Sequence, residues 1–122
     1  MRRRIKDIAC AWLISSTVFS AHAAFANDIT TLKNLENTRQ ARTDIKAKLA
    51  CAKDHYALVE WEGANVGGES LYHKAGSKWV FVTGGGGAMD SNALIAFHVP
   101  AKTATALVRS LQARMRPGST SC

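Results

Sequence analysis

Along the chain, hydrophobic and polar positions change period three times, and each change predicts an element. From Asp28 to about Arg42, Ile29, Leu32 and Leu35 recur at helical spacing, Asp28 can cap the start, and Glu36 can pair with Arg39 or Gln40. This predicts a short amphipathic helix. Over the next stretch Ile45, Ala47, Leu49 and Cys51 alternate with Lys46, Lys48, Ala50 and Ala52, which suits a strand with lysines outward, although Ile45, Leu49 and Ala52 could also continue the helix. Lys53-Asp54-His55 then turns the chain back.

The segment from Tyr56 to Gly87 carries eight of the nine glycines and two of the three tryptophans, so the fold and any binding surface should centre on it. Tyr56 to Glu62 reads as a strand, with Ala57, Val59 and Trp61 on one face and Tyr56, Leu58 and Glu60 on the other. Gly63 to Gly68 predicts a loop, Glu69 to Lys74 a strand, Ala75-Gly76-Ser77 a tight turn, and Lys78 to Thr83 the partner strand of a hairpin. Four consecutive glycines, Gly84 to Gly87, predict a loop, because each loses much backbone freedom when ordered. Asp90 or Ser91 can cap a short helix to Phe97. Pro100 suits the first turn of a second, whose stripe is Ala104, Leu107, Val108 and Leu111, with Arg109, Arg114 and Arg116 toward its end and Pro117-Gly118 beyond. The expected architecture is α+β: an N-terminal helix, an antiparallel meander of three to four strands, and two C-terminal helices, with the helices on one face.

The first 26 residues change what counts as the domain. Arg2, Arg3, Arg4 and Lys6 precede an apolar run from Ile8 to Phe19, and Ala21-His22-Ala23 and Ala24-Phe25-Ala26 both fit a cleavage site; the second is preferred. An apolar run of 12 residues is short of the roughly 20 that cross a bilayer, so no stable membrane anchor is expected after cleavage. The expectation is a periplasmic or secreted protein with one small domain, residues 27–122. Export removes four cations and Asp7, leaving twelve Lys and Arg against eight Asp and Glu, a net +4 that is no nucleic-acid footprint. It also removes Cys10 and leaves Cys51 and Cys122, an even pair that predicts a disulfide in an oxidising compartment.

Candidate chemistry is sparse. Gly84 to Gly87 lies where phosphate-binding loops occur, yet it continues Ala88-Met89-Asp90 without the Gly-Lys-Ser/Thr ending, and Met89 stands at the sixth place of a dinucleotide fingerprint. His55, His73 and His98 have no metal-ligand spacing, and no G-x-S-x-G elbow occurs. Glu60, Glu62 and Glu69 could supply paired carboxylates, although charge on an exposed sheet face explains them more simply. No cofactor, metal or catalytic residue is expected, and the chain reads as a non-enzyme. Trp61, Tyr72, Trp79 and Phe81, flanked by Lys74 and Lys78, could form a stacking platform, but a small domain needs most of them as core. In an antiparallel meander the segments Gly67-Gly68 and Gly84 to Gly87 meet at one end, which makes Trp61, Gly67, Gly68, Glu69, Gly85 and Gly86 the candidate binding residues.

Tyr56-Ala57-Leu58, Trp61, Gly67-Gly68-Glu69-Ser70-Leu71, Lys78-Trp79, Gly84 to Gly86 and Val99-Pro100 together resemble a pattern in small secreted bacterial proteins of unknown function. The resemblance implies export and a shared α+β fold, and carries over no catalytic residue. A looser likeness in size, export and Gly/Trp-rich strands is to periplasmic lysozyme inhibitors, whose signature motifs the chain lacks. The function these features imply is an exported, non-enzymatic binding module of the bacterial envelope with an unidentified protein or envelope component as partner. The alternatives are an inhibitor of an envelope-acting enzyme such as a lysozyme, or a small cell-wall hydrolase.

Overall fold

The computed structural model describes residues 20–115, with side chains from residue 27 onward. Most of the predicted leader, with Cys10, and the C-terminal Arg116, Pro117, Gly118 and Cys122 lie outside the described residues. The element order is α1 (Ser20–Gln40), β1 (Lys46–Lys53), β2 (Tyr56–Glu62), β3 (Gly67–Ala75), β4 (Lys78–Gly86), α2 (Ser91–Ala96) and α3 (Ala101–Arg114). The four strands form one antiparallel meander in sequence order. The stretch that left helix and strand open is therefore a strand.

Both faces of the sheet carry helices, which leave much of β4 exposed. Leu58, Leu71 and Cys51 pack on one side against Leu94 of α2 and Leu107 and Leu111 of α3. Ala50, Ala57, Val59, Tyr72 and Trp79 pack on the other against Leu32 of α1. The two C-terminal helices share a face as expected, but α1 takes the opposite one, so the reading that gathered all helices on one face is corrected. The reason is visible in β2, whose two faces are both apolar: Leu58 on one and Ala57 and Val59 on the other are fully buried.

α1 differs from its expected form in two ways. It starts before Asp28, which is therefore no N-cap and instead pairs through its carboxylate with Lys74 at 3.2 Å. Its inward stripe is Ile29, Leu32 and Glu36, and Leu35 is 37% exposed. A glutamate on the buried stripe is tolerable because every polar atom around it is a donor. Arg39 Nη2 donates at 2.8 Å, Gln40 Nε2 at 2.6 Å, the Ser70 hydroxyl at 3.0 Å and the Tyr72 hydroxyl at 2.7 Å. Burial raises the pKa of Glu36, but these four hydrogen bonds outweigh it and hold the carboxyl below its ordinary value. The Arg39 guanidinium then lies 4.0 Å over the Phe81 ring, so α1, which sits over β1 and β2, reaches β3 and β4 through long side chains.

The alternation predicted from Ile45 to Cys51 breaks at Lys48. Ala47 pairs with Trp61 and Leu49 with Glu60, so Lys48 is an extra residue in a β-bulge. Ala47 consequently faces α1 while Leu49 and Cys51 face α3. The glycine segments are also strand and not loop: Gly67 and Gly68 begin β3, and Gly84 to Gly86 end β4, with Gly84 opposite Ser70 and Gly85 opposite Glu69. A Cβ on Gly84 would come within 2.8 Å of the Ser70 Oγ, so the close approach of the two strands, not a turn, calls for glycine. Asp90 caps α2 as expected by accepting the Ala93 N–H at 2.8 Å, and Pro100 stands at the N-cap of α3.

Removing the Tyr72 hydroxyl takes one donor from a buried charge, so Tyr72→Phe should cost about 1.5–3 kcal/mol in urea denaturation at neutral pH. Because Glu36 titrates below its unfolded value, its contribution is present above about pH 4 and lost as the pH falls through the folded value. The stability gap between wild type and Tyr72→Phe should therefore narrow in acid. A gap that stays constant to the acid limit would remove the charged network from the account.

Candidate binding site at the glycine end of the sheet

The end of the sheet opposite the Gly76 turn is assembled from three chain segments. β2 ends there with Glu60, Trp61 and Glu62, and the connection to β3 is tied by the Gly63 N–H donating to the Val66 carbonyl at 2.8 Å. β3 begins there, and the chain leaving β4 returns so that Gly87 bridges to Gly68 and donates its N–H to the Gly67 carbonyl at 3.0 Å. Gly87 does this at φ +84°, a conformation that only glycine adopts without strain. The two glycine segments thus meet as the meander topology predicts.

Between them lies an open cleft of about 620 Å³, walled by the end of β2, the 63–66 connection, the start of β3, Gly87-Ala88 and Met115 at the end of α3. Of the six predicted binding residues, Trp61, Gly67, Gly68 and Glu69 line it. Gly85 and Gly86 do not; they stand behind it in β4, with Gly87 and Ala88 taking the wall. Glu60, Glu62, Asn65 and Val66 line it as well. The sequence offers Glu60, Glu62 and Glu69 as candidate paired carboxylates, but which of them face each other depends on strand register. That register puts Glu60 directly opposite Glu69.

Among the described residues the charged lining of the cleft is one-sided: Glu60, Glu62 and Glu69 line it, and no Lys, Arg or His does. Glu62 has a cation at its outer side, Lys48 at 3.3 Å. Glu69 is only 4% exposed, and its Oε1 accepts the Met89 N–H at 2.9 Å. Burial pushes its carboxyl above the ordinary range, the Met89 hydrogen bond opposes the shift, and the Glu60 charge adds to it. Glu60 is likewise raised, first by burial and then by Glu62, with Lys48 working against both. Two carboxyls with raised pKa therefore face each other across the ladder beside the cleft, the kind of perturbation that clusters at functional sites.

Trp61 also lines the cleft, but strand pairing puts its side chain with Ala47 on the α1 face of the sheet, opposite to that of Glu60. It is 9% exposed, and its Nε1 is shut off from solvent with no hydrogen-bond partner among the described residues. The edge of the indole nearest Gly68 is the one bearing Cζ2: a Cβ on Gly68 would come within 2.5 Å of that atom and would overlap the Gly85 carbonyl oxygen. Trp79 and Tyr72 are core as expected, while Phe81 is 37% exposed under Arg39. The histidines are scattered, with His55 in the β1–β2 turn, His73 against the Tyr56 ring at 4.9 Å and His98 between α2 and α3. Compared with protein families, curated proteins and solved structures, the chain finds no match in any of the three.

Glycine has different reasons at neighbouring positions here. Gly68→Ala should cost about 1–3 kcal/mol or more through overpacking against Trp61 and Gly85. A Cβ on Gly85 meets nothing within 4 Å, so Gly85→Ala should stay within about 0.5 kcal/mol of wild type. Thermal melts of the two variants check both. Glu69→Gln keeps an oxygen for the Met89 N–H and removes the reluctant charge. A raised folded pKa means that wild-type stability falls as the pH rises above the unfolded value, so Glu69→Gln should melt higher than wild type at pH 8, with the difference closing toward about pH 4. A lower melting temperature at pH 8 would contradict the burial argument.

Proposed function

We propose that the chain is an exported, non-enzymatic binding module of the bacterial envelope whose ligand or partner sits in the cleft at the glycine end of the sheet. The observation that carries this reading is the cleft itself, which brings Trp61, Gly67, Gly68 and Glu69 together on a packed sheet. The exposed glycines beside it support the reading. Packing asks for glycine at Gly68, yet nothing crowds Gly85, and there the bare backbone of an edge strand is open to a partner. Export is supported by the N-terminal pattern and by the resemblance to small secreted bacterial proteins. The α1 residues that hold the sheet, Asp28, Ile29, Leu32, Glu36 and Arg39, all follow Ala26, so cleavage there leaves them in place. A bridge from Cys51 to Cys122 belongs to the same proposal; Cys51 lies in the core beside Leu58 and Leu71.

A second reading, a small cell-wall hydrolase, draws support from Glu60 and Glu69, two adjacent carboxyls with raised pKa at the cleft. An inhibitor of an envelope enzyme is the binding reading with a protein as partner. The three separate experimentally. Co-purification from envelope extract should yield a stoichiometric partner or ligand with wild type and not with the Gly85→Ala/Gly86→Ala double variant, at nearly unchanged melting temperature. Cell-wall turnover that is lost in Glu60→Gln or Glu69→Gln with the fold intact would replace the binding reading by the hydrolase. Non-reducing mass spectrometry of the intact exported protein should show a chain starting at Asn27 with two fewer hydrogens than the dithiol form, and two free thiols would refute the bridge.

A further inference from the structure

The two edges of the sheet are built differently. β1 carries Lys46, Lys48 and Lys53, and lysines along an edge oppose pairing with a further strand. β4 has one charged residue, Lys78 at its start, and ends in bare glycine. Among the described residues it pairs along its length with β3 alone, so the backbone N–H and C=O groups on its outer side meet no strand. Val80 is 50% exposed on this edge, and Phe81 and Val82 are each 37% exposed. The long helices leave it clear, since α1 and α3 both sit over β1 and β2.

A strand that docks here must match an irregularity. Phe81 pairs with Tyr72 and Thr83 with Leu71, so Val82 is an extra residue in β4. Side chains after it change face: Trp79 and Gly84 lie on the α1 face with Tyr72 and Ser70, whereas Lys78, Val80, Thr83 and Gly85 lie on the α3 face with Leu71. A regular strand would have to oppose two residues with one, and its ladder would be broken there. A second copy of β4 brings the same extra residue. In an antiparallel pair with its two-fold axis beside the Phe81-Val82 peptide, residues match one to one with like faces together. Trp79 then faces Gly84 on the α1 side, Lys78 faces Gly85 and Val80 faces Thr83 on the α3 side, and Phe81 and Val82 of the two copies meet at the axis.

Charge fits the same register. Lys78 is exposed and has no carboxylate partner among the described residues. In the pair it faces Gly85 of the second copy, and the residue across the ladder from Gly85, on the same face, is Glu69. Two strand spacings of about 4.8 Å put these Cα atoms roughly 10 Å apart, a gap that a lysine and a glutamate close from opposite ends. Nothing stands over Gly85 between them, because a Cβ there would meet no atom within 4 Å. Glu69 keeps Oε1 on the Met89 N–H and has Oε2 for the ammonium. A side chain at position 85 would obstruct that path, which is a reason for glycine that the packing of one copy does not supply.

We propose that β4 is the contact edge of a two-fold dimer of this chain, paired antiparallel from Lys78 to Gly85, with Lys78 of each copy on Glu69 of the other. The proposal goes beyond the cleft reading and does not depend on what the cleft binds; it puts a cation of one copy at the cleft wall of the other. One strand pair buries less than the roughly 1,600 Å² of a standard interface, so the dimer is of the weak, concentration-dependent kind.

Sedimentation velocity of the exported protein from about 1 μM to about 1 mM tests it. The expected result is a reversible monomer–dimer equilibrium with Kd on the order of 100 μM, tightening as salt is lowered. Val82→Lys brings two lysines together at the axis and should weaken the dimer at least about tenfold, while the exposed position leaves the melting temperature at 1 μM nearly unchanged. Lys78→Ala should weaken it as well and remove most of the salt dependence. The register is read by mixing unlabelled Ser77→Cys protein carrying a nitroxide with nitrogen-labelled wild type, where the Gly85 and Gly86 amides should broaden most. A protein that stays monomeric to 1 mM overturns the proposal, including the case in which a peptide or another segment of the chain takes the edge. So does a dimer that Val82→Lys leaves intact, or broadening centred on β1. None of these outcomes bears on the co-purification experiment, which tests the cleft separately.

Discussion

A single carboxylate, Glu36, kept out of water and fully paired, decides how the pieces of this protein fit. It is 0% exposed, and an unpaired charge there would cost several kcal/mol. The four donors that surround it come from two places: Arg39 and Gln40 from its own helix, Ser70 and Tyr72 from β3. Arg39 and Gln40 move with the helix, so it is Ser70 and Tyr72, together with the Asp28–Lys74 pair and the Ala47 N–H donated to Asn37 Oδ1, that fix where α1 lies over the sheet. The apolar contacts of Leu32 and Ile29 hold the helix down without setting its position along the strands. The network therefore supplies orientation where the hydrophobic contacts supply adhesion.

That constraint extends to the glycine end. Ser70 and Tyr72 face α1, and the residues between and before them, Leu71 and Glu69, face the other side, toward α3 and the cleft. Fixing β3 on one face fixes what it presents on the other. Gly84 lies against the Ser70 hydroxyl, Gly85 against Glu69, and Gly68 lets the Gly85 carbonyl and the Trp61 ring close in. The cleft owes its shape to a strand pair anchored by α1. Its charge comes from the cross-strand pairing of Glu60 with Glu69. β4, by contrast, is an edge with Val80 50% exposed and no charged side chain between Lys78 and its end, whereas the other edge, β1, carries Lys46, Lys48 and Lys53.

Element types were legible where period and turn chemistry agreed. The order helix, strands, helix, helix, the Gly76 turn and the Asp90 cap all follow from local patterns that the tertiary structure keeps. What could not be read depended on partners far along the chain. Leu35 fits a helical stripe as well as Glu36 does, and only the donors of β3, more than thirty residues on, make the glutamate the better buried residue. The bulge at Lys48 is invisible because an alternating sequence gives no sign of where an extra residue interrupts pairing. Four glycines read as a loop since the strand that needs their missing side chains is identified only by Ser70 and Glu69 opposite them. For the same reason the candidate site was legible in part: meander topology brings the glycine segments together, but the facing of Glu60 and Glu69 is a matter of register.

The central claim is that the Glu36 network fixes β3, and through it the cleft. Native-state hydrogen exchange on wild type and Glu36→Gln tests this most directly, because it reads local opening strand by strand. The account predicts faster exchange in the variant both in α1 and at the β3–β4 pairing from Glu69 and Ser70 to Gly84 and Gly85, with the β1–β2 pairing from Ala50 to Val59 little changed. Faster exchange confined to α1, with the β3–β4 amides as protected as in wild type, would contradict it.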